Sequence, residues 1–443
     1  PHPCGCGRPR FHPRTMNLPG SPFLARDAAG TLTLEGHALT ALAHEFATPL
    51  YVYSRQAMRA AVTAYQQALA GRPHLVCYAM KANSSLAVLQ TFAEAGCGFD
   101  IVSAGELQRV LAAGGSADKV VFSGVGKTRA EMRLALEAGV RCFNVESEAE
   151  LDVLSEVATA LGKTAPISLR VNPDVDAKTH PYISTGLKGN KFGISHEHAR
   201  AVYQHAARLP GIKVHGIDCH IGSQITEVSP YLDALDRVLD LVEAIEAAGI
   251  PVHHLDLGGG LGITYTDEQP PSAGDLIGAL LAKIDARGHG HREILMEPGR
   301  SLVGNAGVLL TEVLYLKPGE HKNFCIVDAA MNDMARPAMY EAWMGIVPCE
   351  QRDDTAQTWD VVGPVCESGD WLGRDRALAV QPGDTLAMLS AGAYGMTMAS
   401  NYNSRPRAAE VMVDGDRVAL IRARETVESL FAGERLIDGP GDL

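Results

Sequence analysis

Nowhere in the 443 residues does an apolar run reach the length of a bilayer span, so no membrane partner is expected. Positive charge is also scarce. The formal net charge is -13, which argues against nucleic acid or an anionic membrane surface as the main partner. A paired cysteine framework is missing too. The nine cysteines are scattered and odd in number, and Cys77, Cys142, Cys219 and Cys325 lie inside apolar runs. A reduced, cytoplasmic protein is therefore expected. No GxGxxG joins the first strand of the main domain to its first helix, which removes the dinucleotide-binding fingerprint. Residues 1–15 contain no acidic residue and no apolar core of a secretory signal. Cys4-Gly5-Cys6 lacks the second pair that a metal clip needs. Residues 1–16 are expected to be a disordered extension, with Met16 as the natural start.

What remains is an ordinary globular composition, with 46% hydrophobic and 21% charged residues. The length suffices for one large core and a smaller second one. Residues 17–46, with the alternating Thr31-Leu32-Thr33-Leu34, predict a strand and turn ahead of the main domain. A short strand follows at 48–53 and a helix at 55–70. Apolar strand candidates then recur at 75–80, 98–102, 119–123, 141–145, 166–171, 214–220, 253–257 and 293–296, separated by Ala- and Leu-rich helical segments. Eight strands alternating with helices predict a (β/α)8 barrel over residues 47–300. A doubly wound open sheet is the alternative. After Arg300 the texture changes to strands and turns, at 307–316, 324–328, 359–363, 377–380, 384–389 and 408–421. This predicts an all-β domain over residues 301–443, which also takes the N-terminal strand.

Barrel chemistry gathers at the carboxyl ends of the strands. The first strand, Leu75-Val76-Cys77-Tyr78-Ala79-Met80, ends at Lys81. Alone, this reads as a lysine snorkelling to the surface. On the functional face of a barrel it reads as a desolvated amine with a lowered pKa, suited to a Schiff base. The other strand ends carry Asp100, Asn144, Arg170 and Asn172, then His220-Ile221-Gly222-Ser223-Gln224, Asp256-Leu257-Gly258-Gly259-Gly260 and Glu297-Pro298-Gly299-Arg300. The three glycines let backbone N–H groups approach an anion. His220 could stack on an aromatic cofactor or move protons. Glu297, if buried, needs a cationic or N–H partner. A lysine, a phosphate cradle and a carboxylate for a pyridinium together describe pyridoxal phosphate.

Tyr78-Ala79-Met80-Lys81-Ala82-Asn83, His220–Gln224, Glu297–Arg300 and Cys366-Glu367-Ser368-Gly369-Asp370 resemble the motifs of the barrel-type, alanine-racemase-like pyridoxal-phosphate decarboxylases. The resemblance runs in order from about residue 17 to the end. Within the family the pattern is similar to the branch that converts meso-2,6-diaminopimelate to L-lysine. The resemblance implies that Lys81 tethers the cofactor as an internal aldimine and that His220 stacks on its ring. Ser223, Gly259, Gly299 and Arg300 would hold the phosphate, Glu297 the pyridine nitrogen, and Asp100 would support the site. Tyr394 would touch cofactor and substrate. Arg300, Arg336, Tyr340 and Glu367 would meet the far end of the substrate. Cys366 would protonate the Cα of the quinonoid carbanion from a neighbouring subunit, so a homodimer with shared sites is implied.

Two arginines and a glutamate suit a far end that carries both carboxylate and ammonium. Decarboxylation of ornithine or arginine, amino acid racemisation, and a non-catalytic relative are the rival readings. Simpler roles also compete residue by residue. Cys366 could be an inert thiol, and Arg336 could form a surface pair with Asp333 or Glu341. Asp256 is expected to be structural. His253-His254 and His289-Gly290-His291 are assigned no metal. The loop from Thr179 to Gly193, with Lys188 and Lys191, is a candidate lid.

Overall fold

The computed structural model describes residues 18–176 and 191–437. Its centre is a barrel of eight strands: β1 (His74–Ala79), β2 (Gly98–Ile101), β3 (Val120–Phe122), β4 (Cys142–Val145), β5 (Ala165–Asn172), β6 (Ile212–Asp218), β7 (His254–Asp256) and β8 (Glu293–Met296). Each pairs in parallel with its successor. β8 pairs with β1, which closes the sheet. The strands read as continuous apolar runs because helices cover the outside and side chains fill the inside. The helices between them begin where Ser or Thr can cap. Ser103, Ser147 and Ser272 each accept an N–H of the first turn. Thr128 and Glu131 form a reciprocal capping box, and Gly139 closes that helix in the left-handed conformation.

Period-two alternation sorts the barrel residues. Tyr78 points outward onto Phe92, with ring centroids 4.3 Å apart. Leu75 and Cys77 point inward and form an apolar plug with Val121, Cys142 and Leu295. One step further along each strand the inward residues turn polar: Asp100, Asn144, Arg170, Asp218, Asp256 and Glu297, all buried. Gly216 makes room for this layering, since a Cβ there would lie 2.2 Å from the His254 ring.

The second sheet has the order Trp371–Leu378, Gln357–Val362, Phe324–Val327, Gly307–Lys317, Leu50–Ser54, Ala409–Asp414 and Arg417–Arg422. Thr385–Met388 pairs with Gly307–Lys317 and with Ile346–Pro348. Two features differ from the sequence reading. The strand Leu50–Ser54 falls within the segment expected to build the barrel, yet it lies in the second sheet, antiparallel to Gly307–Lys317 and parallel to Ala409–Asp414. All five of its residues are buried. Leu50 and Val52 enter one apolar cluster, Tyr51 and Tyr53 another. A strand buried on both faces carries no polar stripe, so its pattern does not say which sheet it joins. The N-terminal segment forms its own three-stranded sheet, Leu24–Arg26, Leu32–Leu34 and His37–Ala38. It is tied to the second domain by Leu32 N–H to Cys349 O at 2.7 Å and by the cluster shared with Leu50 and Val308. No helix among the described residues is long and apolar enough to cross a membrane.

Leu50 is fully buried in the second-domain cluster. Leu50→Ala is expected to cost about 3 kcal/mol of stability, read as a lower denaturant midpoint. A cost under about 1 kcal/mol would show that this strand does not belong to that core.

Candidate active site

A cavity of about 590 Å³ opens at the carboxyl ends of the barrel strands. Lys81, His220, Ser223, Glu297, Gly299, Arg300, Arg336, Tyr340 and Tyr394 all line it. Elements far apart in sequence therefore converge here, since Arg336 and Tyr340 bound a short helix of the second domain.

Lys81 sits on a tight turn, Met80–Ala82, just past β1. The turn is held from both sides. The Tyr78 hydroxyl donates to Asn83 O at 2.9 Å. From the second domain, Tyr394 N–H donates to Ala82 O at 2.8 Å, and Asn83 Nδ2 donates to Gly392 O at 3.1 Å. Tyr394 itself is left-handed, with φ 55°, a strained conformation for a bulky residue.

The sequence reading expected desolvation to lower the Lys81 pKa. The structure reverses the direction. Burial does pull it down, but Asp100 first, then Tyr394 and Glu297, push it up, and the net shift is upward. Its Nζ lies 2.8 Å from Asp100 Oδ2, and its side chain is 43% exposed to the cavity. Desolvation is the largest single effect, but Asp100, through its charge and its hydrogen bond, together with Tyr394 and Glu297 outweighs it.

Behind Lys81 the polar layer of the barrel is crowded with acid. Oxygens of Asp218, Asp256 and Glu297 lie within 4.8 Å of one another. Burial first, then the neighbouring carboxylates, push Glu297 and Asp218 well above the usual range. Asp256 is pushed up to about 6, chiefly by burial. Protons thus supply the charge balance in this cluster. Asn144 Nδ2 donates to Glu297 Oε1 at 3.1 Å, and Asp256 Oδ1 accepts Gly258 N–H at 3.0 Å. Asp256 is fully buried, does not line the cavity and caps the Gly258 N–H, as a structural residue would, and Asp218 escaped the sequence reading altogether. Both stand two residues beyond an inward-facing position, at 254 and 216, and that spacing is what could have found them.

His220 Nδ1 accepts the Gly259 N–H at 3.2 Å. Burial, then Arg170 and Lys81, hold its pKa well below the usual value. An Nδ1 that accepts and a lowered pKa describe a neutral ring with its proton on Nε2, and that ring lines the cavity. Gly259 does not line the cavity. Its N–H serves His220, and a Cβ there would sit 2.0 Å from Glu297 O. Gly260 and Gly299 do line it. A Cβ at Gly260 would sit 2.4 Å from Gly222 O, and one at Gly299 would be tight, 3.1 Å from Ala79 O.

Arg300 is buried, and its Nη2 donates to Ser223 Oγ at 3.0 Å. Arg336 is buried too, so it is no surface ion pair. Asp333, its suggested partner, faces Arg405 at 3.7 Å. Cys366 and Glu367 are exposed and off the cavity. Cys366 N–H donates to Asn403 Oδ1 at 3.1 Å, and Glu367 bonds Tyr402. Among the seven described cysteines, Cys366 alone is exposed. Two of the four histidines assigned no metal have hydrogen-bond partners within the fold. His254 Nε2 meets Ser168 Oγ at 2.8 Å, and His289 Nδ1 accepts from Arg292 at 3.1 Å. The candidate lid falls mostly at 179–190, outside the described residues.

Comparison with known proteins places this geometry. Residues 55–304 match the family model "Pyridoxal-dependent decarboxylase, pyridoxal binding domain". The diaminopimelate decarboxylase of Pseudomonas aeruginosa is 60% identical over 415 residues, covering 94% of this chain and 99% of that protein. The crystal structure of diaminopimelate decarboxylase from M. jannaschii in complex with L-lysine superposes with a TM-score of 0.90 at 39% identity, over 94% of this chain and 98% of that one. The Helicobacter pylori enzyme, also complexed with L-lysine, gives 0.85 at 40% identity, over 89% and 98%.

The acid cluster leaves a pH signature. Asp256 holds its proton in the folded state up to about 6, against 3.8 for a free side chain. The folded protein binds more protons than the unfolded chain between these values, so this contribution to stability falls as pH rises through the window. Asp256→Asn keeps the Gly258 acceptor and cannot ionise. Its melting temperature relative to the native chain is expected to rise from pH 4 to about pH 6 and then level off. A constant difference across that range would refute the assignment.

Proposed function

The chain belongs to the pyridoxal-dependent decarboxylase family, and from that premise we propose that it converts meso-2,6-diaminopimelate to L-lysine and carbon dioxide. The observation that carries the substrate choice is the pair of buried guanidiniums, Arg300 and Arg336. Both face the cavity, and neither forms an ion pair among the described residues. Two buried cations without an anion call for a carboxylate from the ligand. Ornithine and arginine would bring a further cation to that place.

Pyridoxal phosphate fits the donor set. An amine stands at Lys81, a protonated carboxyl at Glu297 and a flat neutral ring at His220. Side-chain-free backbone lies at Gly260 and Gly299, with Ser223 beside it. When bound, the cofactor supplies the sink for the electron pair left at Cα as carbon dioxide departs. Lys81 would hold its aldehyde, and Asp100 would orient that amine. Glu297 would share a proton with the pyridine nitrogen, which favours a decarboxylase over a racemase. Ser223, Gly260 and the Gly299-Arg300 backbone would take the phosphate, while Gly259 lets β8 pass closely and fixes His220. Tyr394 and Tyr340 would flank the substrate.

Cys366 and Glu367 complete the site only if a second copy delivers them. Their exposure and their absence from the cavity lining support a homodimer in which Glu367 meets the far ammonium and Cys366 returns the proton to Cα. The free thiols at all seven described cysteines support a reducing, cytoplasmic setting.

Incubated with pyridoxal phosphate, the protein is expected to absorb visible light, and Lys81→Ala to stay colourless. Carbon dioxide should be released from meso-diaminopimelate. Release from ornithine or arginine but not from diaminopimelate would overturn the substrate. Cys366→Ala should bind cofactor normally and lose turnover by more than about a hundredfold, the scale of losing a positioned acid. Mixing Cys366→Ala with Lys81→Ala protein should restore activity. No rescue despite subunit exchange would refute the shared site.

A further inference from the structure

Tyr265 lies between the two arginines, although no motif in the sequence marks it. It is buried and lines the cavity. Its hydroxyl accepts a hydrogen bond from Arg300 Nη1. The Arg336 guanidinium carbon stands 4.7 Å from the centre of its ring, and that of Arg300 5.8 Å. One aromatic ring therefore touches both cations, which would otherwise repel each other. Arg300 lowers the pKa of Arg336, second only to burial among the effects that do so.

The loop that carries Tyr265 is pinned on both sides. Gln224 spans Ile263, accepting its N–H at 3.1 Å and donating to its carbonyl at 2.7 Å. Asn305 Nδ2 donates to Thr264 O at 3.0 Å. Glu268 Oε2 accepts Tyr265 N–H at 2.9 Å and Thr266 N–H at 2.7 Å. Gln224, left without a role by the sequence reading, is the clasp of this loop. So many bonds around one residue leave its ring little freedom.

We propose that Tyr265 is a positioning residue that holds Arg300 and Arg336 at the spacing of one carboxylate and so sets the preference for substrates that end in an amino acid over those that end in a plain amine. Hydrogen bonding orients the Arg300 fork, and the ring faces stabilise two cations that pair with no carboxylate among the described residues. The inference rests on the decarboxylase reading above.

L-lysine and 1,5-diaminopentane separate the effect. Both offer an amine to the cofactor, but only lysine has the far carboxylate. Their competitive inhibition constants should be measured against diaminopimelate turnover in the native protein, Tyr265→Phe and Tyr265→Leu, each with cofactor bound. Tyr265→Phe keeps the ring and loses the hydrogen bond. It should weaken lysine and raise the KM for diaminopimelate by about tenfold, with a smaller change in kcat. Tyr265→Leu loses both contacts and should weaken lysine about a hundredfold. Diaminopentane and the visible absorbance of the cofactor should be unaffected in both. Equal weakening of the two inhibitors, an unchanged lysine constant, or loss of absorbance in the Phe variant would overturn the inference while native turnover leaves the decarboxylase reading standing. Absence of diaminopimelate turnover in the native protein would remove both.

Discussion

The Lys81–Asp100 ion pair, 2.8 Å long at the mouth of the barrel, is the visible edge of a larger constraint. Six inward positions of the barrel end in groups that prefer water, and four of them are carboxylic acids. Buried like charges cannot all ionise, so Glu297 and Asp218 are pushed well above the usual range, Asp256 less far, to about 6, while Asp100 faces Lys81. Glu297, one of the groups that raise the lysine pKa, is itself pushed well above the usual carboxylate range by burial and by Asp100. One electrostatic arrangement thus sets the state of both ends of the site.

The opposite wall is cationic. Arg300 and Arg336 face the cavity from two domains, and Tyr265 and Tyr394 supply ring faces instead of counter-ions. An acidic floor and a basic rim impose an orientation on a zwitterionic ligand. The second domain is not a passenger here. Its residues 392–394 clamp the Lys81 turn by backbone hydrogen bonds, and its short helix brings Arg336 and Tyr340. Removing the second domain would strip Arg336, Tyr340 and Tyr394 from the cavity wall.

Much of this was legible in advance. The eight barrel strands lie within a few residues of the apolar runs that announced them, because a parallel strand buried on both faces has to be apolar throughout. Lys81, His220, Ser223, Glu297 and Arg300 line the cavity as the strand-end argument expected. Leu50–Ser54 was misplaced because burial on both faces erases the pattern that would identify its sheet. Asp218 and Tyr265 were missed for different reasons. The first needs the inward register of β6, and the second needs a loop whose path is drawn by Gln224 and Glu268.

The sequence alone determined which residue types could meet at the barrel mouth, since strand periodicity and strand-end position are local properties of the chain. It also carried the motifs that mark the family. Only the tertiary structure decided the charge states. A lysine pKa is the balance between desolvation and its neighbours, and Asp100, Glu297 and Tyr394 become neighbours only when the barrel closes and the second domain docks. That is why Lys81, read from sequence as an amine driven neutral by burial, stands in the fold as an ammonium held by acid.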